Sequence, residues 1–196
     1  MKTHSEPLVN PAFAPLTPGR WGDFEALFRE DRTCNECWCM WWRQTHARFI
    51  QNRGEANRRA MQEIVRSGVV PGIIAYDGAT PVGWCSVAPR EDFPRICRSP
   101  VIGPIDDEPV WSVACFVVGR SARGRGVMRA LLSAAVGHAA GHGARIVEGY
   151  PRDTAVKHYS ASDLYVGTVS LFSAAGFTEA ARRSPERPIM RYRVGG

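Results

Sequence analysis

The stretch VVGRSARGRGVMRALL, residues 117–132, decides how the chain is read. It passes from an apolar, strand-like segment through an arginine-rich turn with two glycines into an apolar helical segment. Gly124 and Gly126 carry no side chain, so the backbone there can approach a ligand closely. The helix that follows offers unpaired N–H groups and the positive end of its dipole to an anion. Each charge-assisted hydrogen bond contributes about 1.5–3 kcal/mol and the dipole about 0.3–1 kcal/mol, so several together outweigh any single surface arginine. A diphosphate suits such a turn; the bland alternative is an arginine-rich helix start that is merely solvated.

The flanking elements give this turn its context. Upstream, VWSVACFVV (residues 110–118) reads as a strand; downstream, VMRALLSAAVGHAAGHG (127–143) reads as a helix and ARIVEGYP (144–151) as a second strand. Earlier, RWGDFEALFRE (20–30) and EANRRAMQEIVRSG (55–68) have helical periodicity. In the second, Ala56, Ala60, Met61, Ile64 and Val65 share a face and Gly68 suits the end. VVPGIIAY (69–76) and PVGWCSVA (81–88) are strand-like around the hairpin signal DGAT, and the Pro-rich, charged segment 90–109 reads as a loop. After a loop over 152–167 come a short helix, TVSLFSAAG (168–176), and two strands, FTEAARR (177–183) and PIMRYRV (188–194). The 196 residues, 44% apolar and 22% charged, suit one domain spanning 1–196.

Three phosphate-binding loops compete for the turn. A Walker A loop needs Gly-Lys-Ser/Thr, and no lysine is present here. The dinucleotide fingerprint is closer, since Gly124-x-Gly126 opens a helix and Glu148 lies about 20 residues on, but its third glycine is replaced by the bulky Arg129. Arg123, Gly124, Arg125, Gly126 and Val127 instead resemble the acetyl-coenzyme A loop of the GCN5-related N-acetyltransferase (GNAT) family, Gln/Arg-x-x-Gly-x-Gly/Ala, with Met128 departing from the last small position. PVGW on the third strand, SLFSAAGF near the end, and the order of elements extend the resemblance over most of the chain.

The resemblance implies an α/β fold, a central, mostly antiparallel mixed sheet flanked by helices, with acetyl-coenzyme A as acyl donor. The backbone of Phe116, Val117 and Val118 would pair with the pantetheine arm, and one of its N–H groups would polarise the thioester carbonyl. The turn from Arg123 to Met128 would hold the diphosphate. Glu148 in IVEGYP stands where relatives resembling ribosomal-protein acetyltransferases carry a general base; the other reading is a carboxylate paired with an arginine. Phe172 occupies the position at which the family usually carries the tyrosine that protonates the departing thiolate, leaving Tyr165 and Tyr150 as the nearest replacements in sequence. Tyr165 is the candidate acid, and either tyrosine has a structural alternative. Cys115 reads as a small filler of a buried strand, with acylation as the rival reading. His138 and His142 are four apart on one helix without a visible third metal ligand, and also suit the negative helix end.

The segment TCNECWCMWW (33–42) raises the question of a metal. Cys34, Cys37 and Cys39 supply three thiolates, but a zinc site needs a fourth ligand such as His46, and the usual second close pair is absent. No metal is expected. Thr33 and Glu36 have the spacing of a capping box, and Trp38, Trp41 and Trp42 would share a helical face, whereas Cys37, Cys39 and Trp41 would share one side of a strand. In the GNAT fold this segment borders the acceptor groove, so Trp38 and Trp41 are expected to shape the substrate pocket.

A formal charge of +6 favours an anionic partner without choosing its class. No apolar run reaches 18 residues and none suits a secretory core, so a cytoplasmic protein with six reduced cysteines is expected, away from membranes. The expected activity is acetyl transfer from acetyl-coenzyme A to a primary amine of a small molecule. The alternatives are a protein amine as acceptor, a non-catalytic acyl-coenzyme A sensor, and a basic nucleic-acid-binding module using RGRG and tryptophans. The last fits poorly with a turn fixed between a strand and a long apolar helix. The acceptor, the acyl chain length and the choice between monomer and homodimer stay open at this point.

Overall fold

The computed structural model describes residues 7–8 and 10–195 of the chain. In chain order the elements are β1 (Ala12–Pro15), α1 (Trp21–Arg29), α2 (Arg32–Cys37), α3 (His46–Gln51), α4 (Glu55–Arg66), β2 (Gly72–Asp77) and β3 (Thr80–Pro89). Then follow α5 (Pro94–Cys97), β4 (Trp111–Val118), α6 (Val127–Gly141), β5 (Ile146–Gly149), α7 (Val169–Ala174), β6 (Thr178–Ala181) and β7 (Ile189–Arg193). The strands form one sheet in the order β1-β2-β3-β4-β5-β7-β6. Every neighbouring pair is antiparallel except β4 and β5, which run parallel. The expected mixed, mostly antiparallel sheet flanked by helices is therefore present.

Two apolar layers cover the sheet. On one face α6 buries Val127, Leu131, Leu132, Ala135 and Ala139, a stripe that recurs once per helical turn. It packs with Phe172 of α7 against Val87, Val113 and Val147 of the strands. α6 comes so close to β3 that a Cβ on Gly83 would lie 2.7 Å from Val127 and 2.9 Å from Leu131. The strand glycine of PVGW thus supplies the close approach that Arg129 on the helix cannot. On the other face α1 buries Phe24, Leu27 and Phe28, and α4 buries Met61 and Val65, over Ile74 and Trp84.

Several elements differ from the sequence expectation. β1 is only four residues long and ends in Pro15, which an edge strand tolerates. The segment read as an unbroken loop, 90–109, contains α5, and the loop over 152–167 ends in a 3-10 turn, Ala161–Val166. Residues 1–6, part of the segment in which no secretory core is expected, lie outside the described residues. Among the described residues no helix is long and apolar enough to cross a membrane.

Candidate active site

The site begins where two parallel strands part. β5 pairs with β4 only over Trp111–Val113, opposite Val147–Gly149. β4 then continues to Val118 with β3 alone beside it. Val113 faces Val87 and Cys115 faces Ser86, so Ala114 is an extra residue in the ladder. Such a bulge bends its strand and ends pairing on one side. The edge of β4 from Ala114 onward, including Phe116, Val117 and Val118, is left open to an extended ligand, which can hydrogen-bond to it as a strand would.

This open edge leads into the arginine turn. Gly119 N–H donates to the Val82 carbonyl at 3.0 Å, and Arg123 Nε donates to the Val118 carbonyl at 3.3 Å, tying the turn to the strand end. Gly124 and Gly126 have φ of +76° and +79°, the left-handed conformation that side chains oppose. Gly126 is the N-cap of α6 and no side chain caps the helix. A Cβ at Gly126 would meet nothing within 4 Å, so the space in front of the helix start is open. Arg125 pairs with Asp77 at 2.9 Å, and Met128 is half-buried under the turn. The turn therefore fits a diphosphate: backbone donors, a positive dipole end, and room.

Glu148, on the paired part of β5 opposite Ser112, is buried at 1% exposure. Arg191 donates to its Oε1 from Nε at 2.8 Å, with Nη2 at 2.7 Å, and the Tyr150 hydroxyl donates to Oε2 at 2.9 Å. Arg90 Nη1 lies 3.6 Å from Oε2. Arg191 also grips Asp106 bidentately at 2.6 and 2.7 Å, and the Tyr150 hydroxyl meets Ser112 Oγ at 2.8 Å. Both oxygens of Glu148 are thus already engaged. Phe172 is fully buried, its ring against Gly149 at the end of β5 and 6.4 Å from Phe116, so no hydroxyl enters the site from that position.

Tyr165 sits in the 3-10 turn beside β4, with its ring 6.5 Å from Trp42. Burial pushes its hydroxyl up to about 12, with the Cys115 thiol adding to the rise and Arg187 opposing it. It keeps its proton at neutral pH. Next to it a cavity of about 550 Å³ opens, lined by Trp42, His46, Arg95, Arg98, Arg152 and Arg187 among others.

The comparisons with known proteins agree with this geometry. Residues 24–165, well over half of the chain, match the model of the acetyltransferase (GNAT) family. The chain belongs to the GNAT acetyltransferases. As such it is an acetyl-coenzyme A-dependent N-acetyltransferase. Solved structures share its fold at low identity. A GNAT acetyltransferase from Streptococcus agalactiae 2603 has 12% identity, coverage of 98% of this chain and 100% of that one, and a TM-score of 0.57. One from Listeria monocytogenes 4b F2365 has 9% identity, coverage of 94% and 95%, and a TM-score of 0.57. The PaiA N-acetyltransferase of Thermoplasma acidophilum, solved in complex with coenzyme A, has 10% identity, coverage of 94% and 99%, and a TM-score of 0.53. No curated protein matches the sequence.

Within this GNAT fold the Cys/Trp segment is neither one helix nor a strand. α2 stops at Cys37, and Trp38 and Cys39 follow with φ of +47° and +58°. Asp31 caps α2 by accepting from Thr33 N–H, in place of a box between Thr33 and Glu36. The expected pocket wall shifts as a result. Trp38 is 1% exposed and stacks on Phe28 and Trp21, so it is core. Trp41 stands one layer behind the cavity, under the Arg95 guanidinium at 3.7 Å, and Trp42 is the tryptophan that lines it.

The cysteines of the segment turn inward. Cys39 Sγ accepts from Trp84 Nε1 at 3.2 Å; a hydrogen bond from Cys115, with help from Trp84, pulls its thiol down to about 7 against the effect of burial. The same contact pushes Cys115 up. Burial raises Cys34 to about 12 and Cys37 to about 11. Among the described residues no group of three or more His, Cys, Asp or Glu is arranged to hold a metal. His138 and His142 pack 4.4 Å apart against Trp111 near the end of α6.

Sequence reasoning missed Trp42, Arg95, Arg152 and Arg187. They come from four separate loops and short elements, and no local spacing ties them together.

Proposed function

We propose that this enzyme transfers acetyl from acetyl-coenzyme A to the primary amine of a small molecule held in the cavity beside Tyr165. One observation carries the reading: the open edge of β4 runs through the arginine turn to the uncapped start of α6, and the turn that holds Tyr165 packs on the same strand, with the Tyr165 ring 6.5 Å from Trp42 of the cavity lining. The family donor supplies an activated acetyl thioester when bound. The turn from Arg123 to Met128 would hold its diphosphate, and the backbone of Phe116, Val117 and Val118 its extended arm. An N–H on that edge would donate to the carbonyl oxygen as negative charge develops there.

The remaining roles follow from charge. The cavity lining includes four arginines and no Asp or Glu, so an acceptor ammonium is disfavoured there and its pKa falls. The amine then gives its proton to solvent at the open mouth before attack. Tyr165, protonated and beside Cys115 on β4, would donate to the departing thiolate, and the proton that the attacking nitrogen sheds on forming the amide would restore its hydroxyl, directly or through water. Glu148 is a positioning residue in this scheme: its engagement by Arg191 on β7, and by Tyr150, whose hydroxyl also reaches Ser112 on β4, supports a role in fixing β5 between β7 and β4, and not direct proton transfer. The test is thiol release with acetyl-coenzyme A across amine classes. Turnover of small amines and none of peptide N-termini supports the reading; the reverse replaces it with a protein acceptor, and coenzyme A binding without any turnover replaces it with a sensor.

A further inference from the structure

Several buried or half-buried arginines elsewhere in this protein are matched by carboxylates, among them Arg58 with Glu25, Arg182 with Asp153 and Glu179, and Arg191 with Asp106 and Glu148. The cavity beside Tyr165 is different. None of its Arg95, Arg98, Arg152 and Arg187 makes an ion pair among the described residues. Three of them rest on aromatic faces instead: Arg95 over Trp41 at 3.7 Å, Arg152 over Tyr159 at 5.2 Å, and Arg187 over Trp42 at 5.2 Å. Rings hold a guanidinium in place while leaving its in-plane N–H donors unused. Arg95 Nε donates to the Gln44 carbonyl at 3.3 Å, but Arg187 Nε and Nη2, Arg152 Nε, Arg95 Nη2 and Trp42 Nε1 are buried without a hydrogen-bond partner.

Buried donors without acceptors are costly, and buried positive charges near one another more so. Burial pulls Arg187 down to about 10, and Arg152 pushes in the same direction. A fold that keeps such a set together, with aromatic rings orienting the forks, is built for a ligand that brings acceptors and negative charge. The planar fork of a guanidinium matches an oxyanion with two adjacent oxygens.

We infer that the acceptor carries an oxyanion, a carboxylate or a phosphate, in addition to its amine, and that Arg187, Arg152, Arg95 and the Trp42 indole N–H bind it. The inference rests on the cavity being the acceptor site, as proposed above, and names the substrate class of that site. The anion end is anchored in the cavity, and the amine end points back past Tyr165 toward Cys115 and the open edge of β4. This arrangement selects against amines with a second positive charge, such as polyamines, because the lining repels them.

The test combines binding and turnover on the full chain. Calorimetry with succinate and with inorganic phosphate distinguishes the two oxyanions. The stronger probe should lose about 10- to 100-fold in affinity in Arg187→Gln, the range expected for a charge-assisted contact, while coenzyme A binding is unchanged. Gly126→Asp separates this site from the diphosphate turn: it should remove coenzyme A binding and leave the Arg187-dependent anion binding intact. Turnover is then compared in matched pairs, propylamine against β-alanine and ethanolamine against phosphoethanolamine. The oxyanion member of a pair should have the higher kcat/KM, and Arg187→Gln should erase the difference through KM. Should Arg187→Gln fail to fold, Arg98→Gln on the exposed rim provides the same comparison with a smaller, salt-sensitive effect.

Equal anion affinity in wild type and a folded Arg187→Gln, or equal turnover within both pairs, overturns the inference while the acetyltransferase reading stands. Absence of coenzyme A binding in the wild type instead sinks that reading, and the Arg187 dependence of succinate or phosphate binding is scored separately.

Discussion

Replacing Glu148 by Gln separates a carboxylate that holds the fold from one that takes a proton. The substitution keeps the side-chain shape and removes one buried negative charge. Gln can still accept from Arg191 and meet the Tyr150 hydroxyl, which then turns to Ser112 Oγ, 2.8 Å away. Lost is the charge-assisted part of the contacts from Arg191 at 2.7–2.8 Å. Removing one partner of a buried ion pair costs about 3–5 kcal/mol when the other is stranded. Here Arg191 keeps its bidentate hold on Asp106, so about 2–3 kcal/mol is expected. For a chain of this size that corresponds to a fall in Tm of roughly 4–12 °C. The double variant with Asp106→Asn should exceed the sum of the single ones by about 1 kcal/mol, because each carboxylate covers the loss of the other. Tm by circular dichroism and thiol release by the folded fraction are measured on one preparation, and turnover should stay within about tenfold of wild type, below the 10²–10⁴ of a lost general base. An unchanged Tm with turnover down by that larger factor, partly rescued at high pH, would refute this reasoning and make Glu148 the base.

Other outcomes follow from the same contacts. Millimolar coenzyme A should raise Tm by mass action in the wild type, and Gly126→Asp should abolish the rise, since it sets a side chain at φ +79° and a negative charge before the start of α6. Gly149→Ala should leave little folded protein at 37 °C, because its Cβ would collide with the Phe172 ring; soluble yield and Tm check this. In acid, Arg191 holds the Asp106 carboxyl below its usual range, Arg29 and Arg58 hold Glu25, and Arg182 holds Glu179. Folded values below unfolded ones mean that the stabilisation is complete above about pH 4–5 and is lost as pH falls through the lower folded values, so Tm should drop there and Asp106→Asn should flatten the slope. Purified protein should carry no stoichiometric zinc, and a chelator should leave Tm unchanged; metal analysis giving one zinc per chain, lost together with the fold, contradicts this.

The parts of this molecule legible in its sequence are those where one short segment does the whole job. Gly124, Gly126 and the apolar runs on either side define strand, turn and helix within sixteen residues, and such a turn admits a ligand's phosphates. β1 was not legible, because AFAP has no pattern of its own and its strand character comes from pairing with residues 73–76. The tryptophans misled for a related reason. Periodicity assigns faces only while the backbone keeps its period, and Trp38 and Cys39 turn left-handed without a glycine to signal it. Trp42 therefore lands in the cavity and Trp38 in the core. Arg152 and Arg187 are 35 positions apart in loops, and what unites them, one cavity whose lining holds no carboxylate, is a property of space.

The three residue pairs joining β4 to β5 have a further consequence, for how the molecule breathes. On one side of that seam β1 to β4 form a continuous antiparallel ladder; on the other, β5, β7 and β6 form a second. Each ladder keeps its own hydrogen bonds, so the two are expected to separate along the seam before either unravels, as distinct cooperative units. Amide hydrogen exchange under native conditions would then show two protection classes divided between Val118 and Ile146. Whatever lodges against the free edge of β4 acts as a strand inserted from outside, and it would merge the two classes into one.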